Sequence, residues 1–266
     1  MKQPIIAILL SLLIVACSRV PITNRSQMNL LPESQLIWMS LSGYKEFLDK
    51  NPPVAETNAD AALVSRVGMK ISSAVNRFMI QNKMSDRVKG FKWEFKLVDS
   101  KEVNAWCMPG GKVVVYSGLL PVTRDEVGLA FVMGHEVAHA VARHGNERMS
   151  QMLLAQTGAL ALDVALSNKP SETRAIFNTA YGVGIQVGAI LPFSRLHETE
   201  ADKLGMIFMA MAGYDPAQAP VVWQRMIDIN KGPKPPEFLS THPGDNTRIK
   251  NLKEFVPQAK KYLRKG

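Results

Sequence analysis

Two cysteines in 266 residues, Cys17 and Cys107, are too few for a disulfide scaffold. The chain also lacks a glycine repeat, a heptad array and any long low-complexity tract, which excludes collagen-like, coiled-coil and fully disordered architectures. Its composition, 46% hydrophobic and 21% charged, instead fits a globular protein of one large domain or two small ones. The net charge of +9 comes from scattered Lys and Arg, with a small cluster at Lys260, Lys261, Arg264 and Lys265. No basic stripe with interleaved aromatics exists, so nucleic acid is not an expected partner. The terminal cluster reads as a solvated helix end rather than a lipid-headgroup site.

Long apolar runs are also scarce. Ile5 to Ala16 is interrupted only by Ser11, and Lys2 is the only charge in the first 18 residues. That run is shorter than the roughly 18 residues a membrane span needs, and it fits the apolar region of a secretory signal peptide. It ends Ile14-Val15-Ala16-Cys17, which resembles the lipobox of bacterial lipoproteins. The resemblance implies cleavage before Cys17 and acylation of that residue. Residues 1–16 are then the signal peptide, 17–33 a lipidated polar tether, and 34–266 the folded domain. With Cys17 lipidated, Cys107 has no disulfide partner. Ser18, rather than Asp, after the cysteine favours outer-membrane sorting. A second uncharged stretch, Ala175 to Ser194, contains Gly182, Gly184, Gly188 and Pro192. It reads as a buried helix packed closely on a neighbour rather than a membrane span.

Along the chain the hydrophobic period predicts helices over Glu33 to Lys50 and Asp60 to Asn82. It then alternates as a strand over Lys92 to Val98. Val103–Cys107 and Lys112–Tyr116 form a hairpin through Pro109-Gly110-Gly111. From Thr123 onward the pattern is helical. Thr123 and Glu126 match a capping box, and Gly145 can close that helix. Further helices cover about 146–167 and 174–191, then run from a Ser194 cap to Gly213, from Pro216, and from Pro243 to about Tyr262. The expected fold class is α+β: a helical bundle with a small antiparallel sheet.

The strongest chemical signal is His135-Glu136-Val137-Ala138-His139. Two histidines four apart share one helix face and can reach one metal ion. Glu136, next to the first of them, lies beside the metal where it can take a proton from water. Chance at this composition would give the pattern about 0.005 times per chain. Two imidazoles, a carboxylate and an open position suit catalytic Zn²⁺, one per chain. A metzincin would carry Gly and His at positions 142 and 145; here these are Ala142 and Gly145. His144 lies five residues past His139, turned round the helix from it, and reads as a helix C-terminal cation. Candidates for the third ligand lie in His197-Glu198-Thr199-Glu200-Ala201-Asp202. Glu198 and Asp202 share a face, while Glu200 is turned away. Asp202 can accept the free N–H of a ligating imidazole.

His135-Glu136-x-x-His139 followed by Glu198-x-x-x-Asp202 resembles the zinc metallopeptidases that include HtpX, the CAAX prenyl protease and the mitochondrial OMA-type proteases. With the lipobox, the chain looks most like the soluble LoiP/BepA-like periplasmic branch of that gluzincin group. The flanks agree: Asn104 to Gly111 with Val113 to Leu120, Leu191 to Arg195, and Ser240-Thr241-His242-Pro243 with Arg248. The resemblance implies a zincin-like metallopeptidase fold, Glu198 as third ligand and Asp202 behind the ligands. It implies an endopeptidase in which Glu136 serves as base, with His242 and Arg248 as candidate donors to the oxyanion. Substrate would add as a strand to Val103–Cys107, with Asn104 and Ala105 supplying backbone contacts. His242 has a second possible role, as a fourth ligand that holds the resting enzyme latent.

The expected function is degradation of misfolded or unassembled cell-envelope proteins by a periplasm-facing enzyme held by lipid on Cys17, with envelope assembly machinery as a candidate partner. The competing reading is a non-enzymatic assembly factor or holdase with a structural zinc. Glu136 discriminates between them, because a structural site has no use for a carboxylate beside the metal.

Overall fold

A computed structural model describes residues 17–157, 173, 194–229, 237–242 and 246–263. The signal segment, the end of the 146–167 helix, the uncharged stretch up to Phe193, the 232–236 loop, Pro243, Arg264 and Lys265 lie outside the described residues.

The chain starts with a short hairpin, β1 (Cys17–Arg19) and β2 (Ser26–Met28), followed by α1 (Glu33–Lys50) and α2 (Ala59–Gln81). The strands β3 (Glu94–Val98), β4 (Ala105–Met108) and β5 (Lys112–Tyr116) come next. After a single turn, α3 (Leu120–Thr123), come α4 (Glu126–Ala142) and α5 (His144–Thr157). The remaining described helices are α6 (Arg195–Met211), α7 (Ala219–Asp228), α8 (Glu237–Thr241) and α9 (Asn246–Ala259). Among the described residues no helix is long and apolar enough to cross a membrane.

The three-stranded sheet has the order β3-β5-β4. The expected hairpin is present, with β4 antiparallel to β5 and both Gly110 and Gly111 at positive φ in its turn. The sheet as a whole is mixed rather than antiparallel, because β3 pairs parallel to β5. Alternation gives it two apolar faces. Ala105, Cys107, Val113 and Val115 join the main core, while Trp106, Met108, Val114 and Tyr116 pack with Tyr44 and Phe47 of α1.

The centre of the molecule is α4. Every residue from Gly128 to Ala142 is buried. A helix apolar all round is stable only when enclosed by neighbours, and α2, α6 and the sheet enclose it. Its start differs from the expected capping box. Asp125, not Thr123, is the N-cap and accepts the Gly128 N–H at 2.7 Å. Glu126 instead binds Lys70, Arg66 and Tyr214. Its end also differs, since Arg143 rather than Gly145 takes the left-handed conformation, φ +61°. The turn at Arg143 re-aims the chain, and His144 opens α5 instead of ending α4.

Residues 18–33 are not a free tether. The β1–β2 hairpin packs onto the domain, where Gln27 is buried and donates to Ala142 O at 2.7 Å. Arg87 donates to Val141 O at 3.0 Å and also to Arg19 O, tying the hairpin to the end of α4. Leu31 packs with Leu36, Met149 and Leu153.

Candidate metal centre and active site

Two helices build the site. His135, Glu136 and His139 project from α4; Glu198 and Asp202 project from the first two turns of α6, which Ser194 caps through the His197 N–H. All five side chains are buried. His242, just past α8, and Arg248, on α9, complete the enclosure and are buried too.

His135, His139, Glu198 and His242 each present one donor atom, all four within 4.8 Å of one another. His135 Nε2 and His139 Nε2 are 3.1 Å apart, and Glu198 lies 3.4 Å from each. His242 Nδ1 is 3.0 Å from Glu198 Oε1 and 3.3 Å from His135 Nε2. Lone pairs this close repel unless a cation or protons lie between them. Three imidazoles and a carboxylate at this spacing form a donor set suited to one zinc ion.

Burial would discharge these groups, so their partners decide the outcome. Burial presses the Glu198 carboxyl upward, but the positive charge of Arg248 holds it well below its ordinary range. Burial also opposes charge on His135, yet its hydrogen bonds to Asp202 and Glu198 raise it. His139, with less support, is pushed well below 6.5 by burial. Glu136 is raised to about 7 because burial dominates. Its Oε1 is buried and makes no hydrogen bond, and His242 Nε2 is 3.5 Å away.

Asp202 Oδ1 lies 3.0 Å from His135 Nδ1, the expected carboxylate partner of a ligating imidazole. Arg248 binds Asp202 through Nε and Nη2 at 2.6 and 2.8 Å, and its Nη1 is 2.5 Å from Glu198 Oε2. Its guanidinium lies 3.7 Å over the Trp223 ring. The guanidinium therefore neutralises the two carboxylates, and an oxyanion role would require breaking those bonds.

Asn104 and Ala105 sit on the free edge of β4 among the described strands. The carbonyl of Asn104 is used by Tyr116 of β5, so the Ala105 N–H points outward, where Asn104 Oδ1 accepts it at 2.9 Å. Val103 O accepts the Phe238 N–H at 3.2 Å. Phe238 also stacks on His242, ring centroids 4.6 Å apart. Thus α8 covers the β4 edge and carries His242 to the donor cluster together. Cys107 is a buried thiol that burial pushes well upward, which fits a small core residue better than a redox sensor.

Sequence reasoning missed a second buried polar cluster beside the first. His144 is fully buried and neutral, its pKa lowered to about 4 by burial, so it is not a helix-terminal cation. It joins His139 to Glu200, and Arg25 of the hairpin binds both Glu200 and Glu147. His197 donates to Glu147 at 2.9 Å. The only local signal was three histidines between residues 135 and 144 with Glu147 close behind.

The family model for peptidase family M48 matches residues 66–256. The chain is 34% identical to the mitochondrial metalloendopeptidase OMA1 of Schizosaccharomyces pombe over 90% of its own length and 66% of that protein's. It is 33% identical to the human metalloendopeptidase OMA1 over 91% of its length and 46% of the relative's. To the beta-barrel assembly-enhancing protease of Escherichia coli it is 29% identical, over 62% of this chain and 35% of that one. The chain thus spans between about a third and two thirds of the length of these relatives. The matched region contains both ligand-bearing helices, and the chain belongs to peptidase family M48, with an α+β, zincin-like metallopeptidase domain.

Proposed function

We propose that the chain is a zinc-dependent endopeptidase in which His135, His139 and Glu198 hold one zinc and Glu136 is the general base. The observation that carries this reading is the four-donor cluster beside the unbonded, buried Glu136 oxygen. Zinc bound there would supply the Lewis acidity that activates water and polarises the scissile carbonyl. Glu136, buried beside the cluster with one oxygen unbonded, is placed to take the proton and return it to the leaving amine. Asp202 fixes the His135 ring, and Arg248 keeps Asp202 and Glu198 ionised. A structural zinc in a non-enzymatic holdase leaves Glu136 without a role, so the enzyme reading is preferred.

The resting enzyme is closed. His242 occupies the position of a fourth ligand, and α8 blocks the β4 edge through Phe238. A substrate strand pairing with Val103, Asn104 and Ala105 displaces Phe238, and with it His242. With Phe238 displaced, the His242 N–H would be the better candidate for stabilising the oxyanion, since Arg248 is committed to carboxylates.

The substrates are misfolded or unassembled envelope proteins, and the enzyme works beside envelope assembly machinery. The similarity to the beta-barrel assembly-enhancing protease of Escherichia coli supports this setting. Residues 1–16 act as a lipoprotein signal, and lipid on Cys17 anchors the enzyme to the outer membrane facing the periplasm. The docked hairpin then holds the domain directly at the bilayer surface. Cys17→Ser should abolish fatty-acid labelling; persistent labelling would refute the anchor. For the activity itself, stripping metal from the purified chain should stop cleavage of unfolded casein, and added zinc should restore it. Cleavage that survives complete metal removal would overturn the proposal.

A further inference from the structure

Among the metal-ligand candidates, His139 turns its outer nitrogen to another imidazole, that of His144. Its Nε2 faces the donor cluster, so that nitrogen must be bare to bind metal, and the ring proton sits on Nδ1. Nδ1 lies 3.0 Å from His144 Nδ1. His144 must therefore accept there and carry its own proton on Nε2, which lies 3.1 Å from Glu200 Oε2. Glu200 is fixed in turn. Its Oε1 accepts from Thr23 Oγ1 at 2.6 Å and Arg25 Nε at 3.0 Å, and its Oε2 accepts from Arg25 Nη2 at 3.0 Å. Each tautomer in the chain follows from the one before it, and the direction of every hydrogen bond is determined.

We propose that His144, Glu200 and Arg25 are positioning residues for His139: an imidazole–carboxylate relay that orients the ligand ring and is locked by the N-terminal hairpin. The inference rests on the metal reading given above and extends it. Three acidic residues of α6 then serve one centre in three ways. Glu198 offers an oxygen to the metal. Asp202 holds His135 directly. Glu200, on the opposite side of α6, holds His139 through His144. A ligand imidazole without its hydrogen-bond partner is free to rotate and is less basic, which weakens the metal site. The hairpin beside Cys17 also becomes part of the centre, because Arg25 and Thr23 hold the far end of the relay.

The alternative is that these residues only bury charge and dock the hairpin. Glu147 separates the two accounts. It belongs to the same buried cluster and also binds Arg25, at 2.7 Å, whereas the carboxylate on His144 Nε2 is that of Glu200. Zinc affinity of the purified full chain, measured by chelator competition, and the ligand-field spectrum of the cobalt-substituted protein are the readouts. His144→Phe and Glu200→Gln should each weaken zinc binding about 10- to 100-fold and alter the cobalt spectrum. His144→Asn, whose Oδ1 stands near the lost Nδ1, should recover most of the affinity. Glu147→Gln should leave affinity and spectrum near wild type, even if it lowers the melting temperature. The proposal is overturned if His144→Phe binds zinc like wild type, or if Glu147→Gln loses as much affinity as Glu200→Gln. Should His144→Phe fail to fold, the comparison of Glu200→Gln with Glu147→Gln decides. A cobalt spectrum left unchanged by His139→Ala would instead remove the metal reading, and the relay with it.

Discussion

Gly134 of α4 and Gly205 of α6 meet backbone to backbone. A Cβ on Gly205 would stand 2.8 Å from the His135 nitrogen, and one on Gly134 would stand 2.9 Å from the Gly205 carbonyl oxygen. The contact lies one residue from the first metal-ligand candidate and sets the separation of the two helices that carry His135, His139, Glu198 and Asp202.

Gly205→Ala should therefore act on stability and on the site together. Overpacking against backbone costs about 1–3 kcal/mol. A displacement approaching 1 Å at the reacting groups costs about 100-fold in rate. Thermal melts and casein cleavage measured side by side check this. A variant with normal stability and normal cleavage would show that the close approach is not needed.

His242→Ala tests the closed resting state. Removing the imidazole takes away the fourth-ligand candidate and the stacking partner of Phe238. Basal proteolysis should rise if latency dominates, as the geometry favours. A fall in basal cleavage, with zinc content unchanged, would assign His242 to the oxyanion alone.

Acid stability should depend on Glu126. Its pKa is lowered from 4.5 to about 2, chiefly by the hydrogen bonds from Lys70 and Tyr214. The folded value is the depressed one, so this carboxylate stabilises the fold above pH 4.5 and loses that contribution as pH falls toward 2. The side chain is 28% exposed, and screening limits the effect to about 1 kcal/mol. Glu126→Gln should melt lower than wild type at pH 7, with the gap narrowing between pH 4.5 and 3 and in high salt. A gap independent of pH and salt would contradict the assignment.

Much of this was legible in the residues, and the exceptions have specific physical causes. The helix over Glu33 to Lys50 and the Ser194 cap agree with the sequence reading because their signals are local. The brackets of α4 differ. Asp125 outcompetes Thr123 as a cap, and Arg143 accepts a left-handed conformation that composition assigns to Gly145. That one residue also puts His144 at the start of α5 rather than at the end of α4. Counting helical angles past His139 assumes that the helix continues, whereas the turn at Arg143 swings His144 back against His139. The hairpin at residues 17–28 reads as tether in the sequence because the half-buried Arg25 and the buried Gln27 find partners more than 100 residues away. The parallel pairing of β3 with β5 is likewise long-range and leaves no trace in a period-2 pattern.

The central claim is that Glu136 does chemistry at a zinc held by its neighbours. Zinc content and casein cleavage of purified Glu136→Gln, measured beside wild type, test it most directly. The account predicts one zinc per chain in both proteins and cleavage by the wild type only. Cleavage by Glu136→Gln at the wild-type rate, with zinc still bound, would contradict it.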